Sequence, residues 1–204
     1  MTVQCVYRPY ADRMSDRHDA PSIDPTDPED SGRRESVLES AMATFARFGY
    51  RKTSMDEIAQ AAHISRPGLY FLFGSKQALF REAVTRALGR DLDAIARELD
   101  DTARPLNDRI LGAFDRWGGS YVGPLSDELA ATRDDPAGLG TILTTAPQRF
   151  ADLVTAAIAE AAPGTDAAAR AATIISASIG IKHQVGSREA YSRRLAIAAD
   201  LILP

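Results

Sequence analysis

The chain has little of what secreted, metal-binding or membrane-spanning proteins require. Its 204 residues include one cysteine, Cys5, which excludes an intramolecular disulfide and is typical of a reducing cytoplasm. The three histidines, His18, His63 and His183, are too scattered for zinc-ligand spacing, so no metal or cofactor is expected. No apolar run approaches the roughly 20 residues of a membrane helix, and the first residues lack the apolar core of a signal peptide. We therefore expect a cytoplasmic protein with no membrane segment.

Sequence signals of catalysis are also missing. The chain carries neither a phosphate-binding glycine loop nor the order of serine, histidine and aspartate found in hydrolases. Lys182, His183 and Tyr191 are titratable, but a general base needs a positioned partner and a substrate cleft, and the sequence indicates neither. We predict that the chain is not an enzyme.

Charge is distributed unevenly along the chain, although the formal net charge is only −4. Residues 31–90 hold 10 basic and 5 acidic residues, whereas residues 1–30 hold 3 basic and 7 acidic, and residues 91–204 hold 11 basic and 16 acidic. A basic block between acidic segments is typical of a polyanion-binding module joined to a body that does not bind polyanions. The alternative is random fluctuation along a solvated surface.

The spacing of apolar residues predicts an all-α fold. Residues 1–30 combine four prolines with many aspartates and lack periodicity, which indicates a disordered acidic tail. From Gly32 onward apolar residues recur with helical spacing and no alternating strand pattern. We expect a three-helix domain at 31–77 and a helical domain at 78–204, the latter with helices at 125–133, 139–161, 166–185 and 188–203.

The segment 54–73 has the pattern of a helix-turn-helix. Ser54 and Glu57 form a capping-box pattern at the start of one short helix, and Ser65 caps a second helix after a tight turn at His63 and Ile64. Short helices of this kind are stable only when packed on neighbours. Such a pair inside a basic block predicts that the second helix enters a DNA major groove.

The second short helix has two different faces by helical spacing. Leu69, Leu72 and Phe73 share the side that we assign to the core. The opposite side suits DNA, because an arginine reads guanine O6 and N7, apolar groups touch thymine methyls, and a tyrosine donates to a phosphate; its members are Arg66, Pro67, Tyr70 and Phe71. In the alternative interpretation Phe71 packs beneath the first helix, and only Lys76 and nearby arginines touch DNA.

Four motifs within residues 33–80 resemble the DNA-binding domain of TetR-family transcriptional regulators. They are FARFGY at 45–50, TSMDEIA at 53–59, AHIS at 62–65 and LYFLFGSKQALF at 69–80. The resemblance covers about a quarter of the chain. It implies a three-helix helix-turn-helix DNA-binding domain, followed by a helical domain for ligand binding and dimerisation.

The resemblance also implies which residues contact DNA. They are Thr53, Ser54, Arg66, Pro67, Gly68, Tyr70, Phe71, Leu72 and Lys76. Two positions depart from the family pattern. His63 stands where glycine usually ends the first helix of the pair, and histidine tolerates positive φ better than most residues. Leu72 stands where a polar contact is common, and helical spacing turns it inward.

The C-terminal half offers a candidate pocket and a candidate interface. A stripe of bulky apolar residues at helical spacing is most often part of the core. The alternative interpretation is that it forms the wall of a site for an apolar or amphipathic molecule; the expected lining is Ile110, Phe114, Trp117, Tyr121, Leu143 and Phe150. The last two helices combine small and branched residues, as in a four-helix interface between two copies; the expected contacts are Ile175, Ser178, Ile181, Leu195, Ala198 and Ile202. Alternatively, both stripes pack within their own domain.

The resemblance and the residues together predict a ligand-responsive repressor. A two-fold homodimer would place two recognition helices one turn of double-stranded DNA apart, which requires a near-palindromic operator. A small-molecule effector would release the operator by pivoting the helix that follows Ser75. Two alternatives stay open: a small-molecule-binding protein with a vestigial helix-turn-helix, and a transcriptional activator of the same fold.

Overall fold

A computed structural model of the chain describes residues 28–119 and 139–203, and every regular element in those ranges is helical. The elements are α1 (Pro28–Phe48), α2 (Met55–Ala61), α3 (Arg66–Phe73), α4 (Lys76–Leu99), α5 (Leu106–Phe114), the π-helical turn Asp115–Gly119, α6 (Gly140–Ala161), α7 (Ala167–Lys182) and α8 (Arg188–Ile202). The predicted all-α class is confirmed. None of these helices is long and apolar enough to cross a membrane.

Within the described residues the predicted helix boundaries agree with the structure, except that α1 begins earlier than expected. Helices expected at 139–161, 166–185 and 188–203 correspond to α6, α7 and α8 within a few residues. α1 begins at Pro28, so the last three residues of the predicted tail lie in its first turn, where a proline is well accommodated. The helix expected at 125–133 and the rest of the predicted tail lie outside the described residues.

The first apolar core joins α1, α2, α3 and the first half of α4. Its aromatic centre is Phe45, Tyr50 and Phe80, whose ring centroids lie 4.5–5.9 Å apart. Ile58 of α2 and Leu69 of α3 are fully buried against this cluster. The two short helices are therefore held in place by burial against α1 and α4, as expected for helices too short to be stable alone.

The second core lies among the second half of α4 and helices α5 to α8. Leu92, Ile95 and Leu99 of α4 pack in this cluster.

Two elements connect the cores. α4 serves both, so the boundary expected after residue 77 falls in the first turn of a shared helix. Leu139, at the start of α6, is fully buried in the first core, and Ile142 packs against both cores.

Candidate nucleic-acid interface

The capping box at the start of α2 forms as predicted. The Ser54 hydroxyl accepts a hydrogen bond from the Glu57 backbone N–H at 3.2 Å, and a Glu57 carboxylate oxygen accepts one from the Ser54 N–H at 2.7 Å. The same carboxylate accepts from the Ser54 hydroxyl at 2.9 Å. These bonds to the charged form, the backbone bond foremost, lower the pKa of Glu57, and the charge of Lys76 adds to the effect.

The turn between α2 and α3 reverses the chain at a left-handed histidine. His63 has a φ of 54°, which confirms the positive φ expected there. The Ile64 N–H donates to the Ala59 carbonyl at 3.0 Å and closes the turn. Ser65 then caps α3, since its hydroxyl accepts from the Gly68 N–H at 3.2 Å. The sequence pattern of a helix-turn-helix is thus realised in the backbone.

One side of α3 is exposed, and we call it the recognition face: Arg66, Pro67, Tyr70 and Phe71. Phe71 is 70% exposed, so it does not pack beneath α1 as the alternative interpretation required. Leu69 and Phe73 are buried, and Leu72 packs half-buried against the first core, as helical spacing predicted. The recognition face therefore presents a cation and two rings to solvent, Tyr70 at 39% exposure and Phe71 at 70%.

Arg34, which the sequence interpretation missed, fixes the end of α3. Its guanidinium donates to the carboxylate of Glu82 at 2.7 and 2.6 Å and to the backbone carbonyl of Leu72 at 2.9 Å. The same group lies over the Phe73 ring, 4.4 Å from its centroid. Arg34 thereby links α1, α3 and α4. The signal in the sequence was a pair of adjacent arginines ahead of the first apolar stripe.

Two predicted cationic contacts, Arg66 and Lys76, have partners within the domain. The Arg66 Nη1 is 3.1 Å from an Asp56 carboxylate oxygen, and its Cζ is 5.7 Å from the Tyr70 ring centroid. Lys76, the first residue of α4, places its Nζ 4.5 Å from the Tyr50 ring centroid and 3.5 Å from the Arg51 carbonyl oxygen. The structure brings both cations to the helix-turn-helix.

Thr53 and Gly68, two other expected DNA contacts, instead support the local structure around α2 and α3. Thr53 is buried, so its side chain does not reach DNA; its hydroxyl donates to the Gly49 carbonyl at 2.8 Å and closes the α1–α2 loop. Gly68 lies next to the α3 cap, and a Cβ there would come 3.1 Å from the Ser65 hydroxyl oxygen. Neither residue offers a side chain to the exposed surface.

The residues expected to line a pocket are only partly brought together. Phe150 packs edge-on to Phe114 at 5.0 Å and stacks on Trp117 at 4.8 Å, while Ile110 is buried in the same second core. Leu143 instead packs against the first core. Tyr121 lies outside the described residues. Trp117 lies in the π-helical turn, a feature that often marks functional sites.

The residues expected at a dimer interface mostly face their own subunit. Ser178, Ile181 and Leu195 are buried, and the Ser178 hydroxyl is 2.7 Å from the Tyr191 hydroxyl. Ile175, Ala198 and Ile202 are half-buried against the second core. The large apolar side chains that α7 and α8 do expose are Ile179, Ile197 and Leu201.

Comparison with known proteins identifies the N-terminal domain. The model of bacterial regulatory proteins, tetR family, matches residues 37–83, from α1 into α4. The uncharacterized HTH-type transcriptional regulator YhgD of Bacillus subtilis (strain 168) is 38% identical over 56 residues, which cover 28% of this chain and 29% of YhgD. The probable acrEF/envCD operon repressor of Escherichia coli (strain K12) is 41% identical over 49 residues, 24% of this chain and 22% of that protein. Both alignments span less than a third of the relative.

The likeness extends over the whole fold when structures are compared. A crystal structure assigned to a TetR-family transcriptional regulator of Mesorhizobium loti matches with a TM-score of 0.70, covering 84% of this chain and 95% of that one. The two sequences are 19% identical. At that identity the match shows a common fold that includes the C-terminal helices.

Proposed function

We propose that the chain is a TetR-family transcriptional repressor that binds duplex DNA and is released by a small molecule, since the family model and the relatives match its N-terminal domain and a solved structure shares its fold. The observation that carries the proposal is the exposed recognition face on a helix-turn-helix. Neighbouring apolar side chains exposed together are typical of an interaction surface, and a cation beside them suits a polyanion. Repression is favoured because one relative is named as an operon repressor.

The residues of the interface take separate roles in this proposal. Arg66 reads a guanine edge, Pro67 and Phe71 contact thymine methyl groups, and Tyr70 donates to a phosphate. Ser54 and Lys76, at the starts of α2 and α4, contact phosphates on either side of the groove. Phosphate contacts fix the register of the protein on DNA, whereas base contacts supply specificity.

Two copies would present two recognition faces to one duplex. The exposed Ile179 of α7 and the exposed Ile197 and Leu201 of α8 form the proposed contact surface between subunits, with the half-buried Ile175, Ala198 and Ile202 beside them. A two-fold pair of this kind binds half-sites one helical turn apart, about 34–36 Å, on a near-palindromic operator.

The proposed effector site lies where the π-helical turn meets α6. Trp117 packs there on the buried rings of Phe114 and Phe150, while Asp115 and Arg116 carry charge next to it. This composition suits an apolar or amphipathic molecule. Such a molecule releases DNA only if it binds the DNA-incompetent arrangement more tightly. α4 runs from the helix-turn-helix into this second core, so a rearrangement at the effector site can shift α4 and with it the recognition face.

The test is a binding selection from randomised duplexes, followed by affinity measurements over a range of salt. Arg66→Ala should weaken binding to the selected duplex by about 1–3 kcal/mol and remove one base preference in each half-site. Lys76→Ala should weaken binding to all sequences alike and reduce the salt slope by roughly one.

Arg97→Ala is the matched control, since this exposed arginine lies in the last turn of α4, far along the helix from α3. Its binding should equal that of the wild type. The proposal is overturned if no duplex shows salt-sensitive binding, or if Arg66→Ala and Lys76→Ala both bind as the wild type does.

A further inference from the structure

An acidic side chain stands against the arginine of the recognition face. Asp56 lies in the first turn of α2, and its carboxylate is 3.1 Å from the Nη1 of Arg66, the first residue of α3. A carboxylate on a surface that must approach phosphates opposes binding through charge repulsion. Asp56 therefore does not strengthen DNA binding in general.

Asp56 also contributes little to the stability of the fold. The side chains of Asp56 and Arg66 are 61% and 58% exposed. An ion pair as exposed as this contributes little to folding, because water screens the charges and both side chains lose freedom. Ser54 and Glu57 already cap α2, so the helix does not depend on Asp56 for its start.

What the pair does supply is a preferred direction for the guanidinium. Asp56 holds Nη1 from one side, and the Tyr70 ring lies 5.7 Å from Cζ on another. A guanidinium is a planar fork whose other edge, Nε and Nη2, can still give two parallel hydrogen bonds to guanine O6 and N7. Orienting the fork before DNA arrives reduces the conformational entropy lost on binding.

The geometry points to Asp56 as a specificity-determining positioning residue, which holds Arg66 ready for a guanine and penalises duplexes that lack one. This inference rests on the proposed DNA binding through α3. With the matching base in place, the oriented Arg66 offsets the repulsion between Asp56 and the phosphates. With any other base the repulsion remains, so the ratio of specific to non-specific affinity rises.

The experiment compares the full-length wild type with Asp56→Asn on two probes: a duplex selected by the wild type from a randomised library, and the unselected library. Asparagine keeps the size of the side chain and removes its charge. Binding to the unselected library should tighten, and binding to the selected duplex should not. The ratio of the two affinities should fall roughly tenfold, the order of one weakened base contact. A new selection with the variant should show a broadened guanine preference.

The matched control is Asp93→Asn, which removes one exposed acidic charge on α4 that pairs with Arg149 of α6. It should leave the ratio unchanged. Asp56→Glu should restore much of the wild-type ratio, since it returns a carboxylate within reach of Arg66. Asp56→Ser serves as a second uncharged variant, and thermal unfolding monitored by circular dichroism establishes that each variant is folded.

The outcomes separate this inference from the proposed function. Suppose that Asp56→Asn changes both affinities by the same factor, while Arg66→Ala lowers their ratio. Asp56 then only repels phosphate, and the inference is overturned. Base reading by Arg66 still stands in that case. The inference is also overturned if Asp56→Asn leaves both affinities unchanged. If Arg66→Ala leaves the ratio unchanged, the assignment of base reading to Arg66 is wrong, and the inference is overturned with it.

Discussion

At the scale of single residues, His63 carries backbone strain at the turn of the helix-turn-helix. Its φ of 54° lies in the left-handed region, which costs an L-residue about 1–2 kcal/mol relative to right-handed backbone. Its side chain is exposed. Substitutions at residue 63 should therefore report on the backbone of the turn rather than on lost packing.

We expect His63→Val to lower the free energy of unfolding by roughly 1 kcal/mol beyond the cost that His63 already carries, because a β-branched side chain is tolerated at positive φ less well than histidine. His63→Gly should change it by less than about 1 kcal/mol, since relief of strain is offset by the added freedom of the unfolded chain. Urea unfolding of the three proteins measures both values. Equal stabilities for the valine and glycine variants would show that the turn is not strained.

Single residues also show how far spacing alone could predict the interface. The cap at Ser65 and the exposure of Phe71 follow from local spacing, and the structure has both. The partners of Arg34 and Arg66 do not follow, because Glu82 is 48 residues from Arg34, and Asp56 reaches Arg66 only through the crossing angle of two helices. Contacts of that kind depend on tertiary packing, which periodicity does not encode.

At the scale of elements, the capping box links the stability of α2 to pH. Folding lowers the pKa of Glu57 because its carboxylate accepts bonds from Ser54. A carboxylate with a lowered folded-state pKa stabilises the fold fully above its unfolded-state pKa, about 4.3, and loses that contribution as the pH falls through the folded-state value. The charge of Glu57 should thus stabilise the fold at neutral pH and cease to do so in acid.

Glu57→Gln should therefore be less stable than the wild type at pH 7, and the difference should shrink as the pH falls below about 4.3. Glutamine keeps the shape and the acceptor, so the comparison isolates the charge. Thermal unfolding across this pH range measures the difference, with the exposed pair residue Glu189→Gln as control. A difference that is independent of pH would contradict the link to Glu57.

The end of α5 is the element that periodicity predicted least well. The stripe of Leu106, Ile110, Phe114 and Trp117 fits a regular α-helix, yet the backbone widens to a π-helical turn from Asp115. The turn coincides with long-range contacts: Trp117 stacks on Phe150, and a Cβ on Gly118 would lie 3.0 Å from the Tyr191 hydroxyl oxygen. Local spacing contains no signal for such a change, because its partners come from α6 and α8.

At the scale of the whole molecule, two connections tie the DNA-binding end to the C-terminal body. One is α4, which belongs to both cores. The other is Leu139, fully buried among residues of the first core although it begins a helix of the second. A rearrangement around Trp117 of the π-helical turn and Phe150 of α6 could therefore reach the first core, and with it α3, through either connection. Sequence analysis predicted only α4, because a single leucine after the segment 120–138 has no periodic context.

The residues expected between subunits lie mostly on the sides of α7 and α8 that pack against their own chain. The regular apolar stripe of α8, with Leu195 at its centre, is buried within the subunit. The exposed side of the same helix carries Ile197 and Leu201, spaced one turn apart but flanked by arginines and an aspartate, which obscures the pattern. Periodicity marks the more completely apolar side, and that side packs against the subunit's own core.

This arrangement leads to a prediction for assembly. Ile197 is 62% exposed and Leu201 is 82% exposed. A double variant, Ile197→Glu with Leu201→Glu, should leave the fold intact and convert a dimer to a monomer, because burying two carboxylates at an interface is unfavourable. Light scattering coupled to size-exclusion chromatography gives the mass, and Phe71→Glu on the recognition face is the control that should remain dimeric.

DNA binding should follow the loss of the dimer. With two linked recognition faces the second half-site is bound at high effective concentration, so separation into monomers should weaken binding to a selected palindromic duplex by about 10²-fold or more. Binding to a single half-site should change little, since each copy keeps its own Arg66 and Lys76. If the double variant remains dimeric at micromolar concentration, the interface does not lie on the exposed side of α8. If binding weakens equally on the full site and on the half-site, the substitutions have damaged the helix-turn-helix itself.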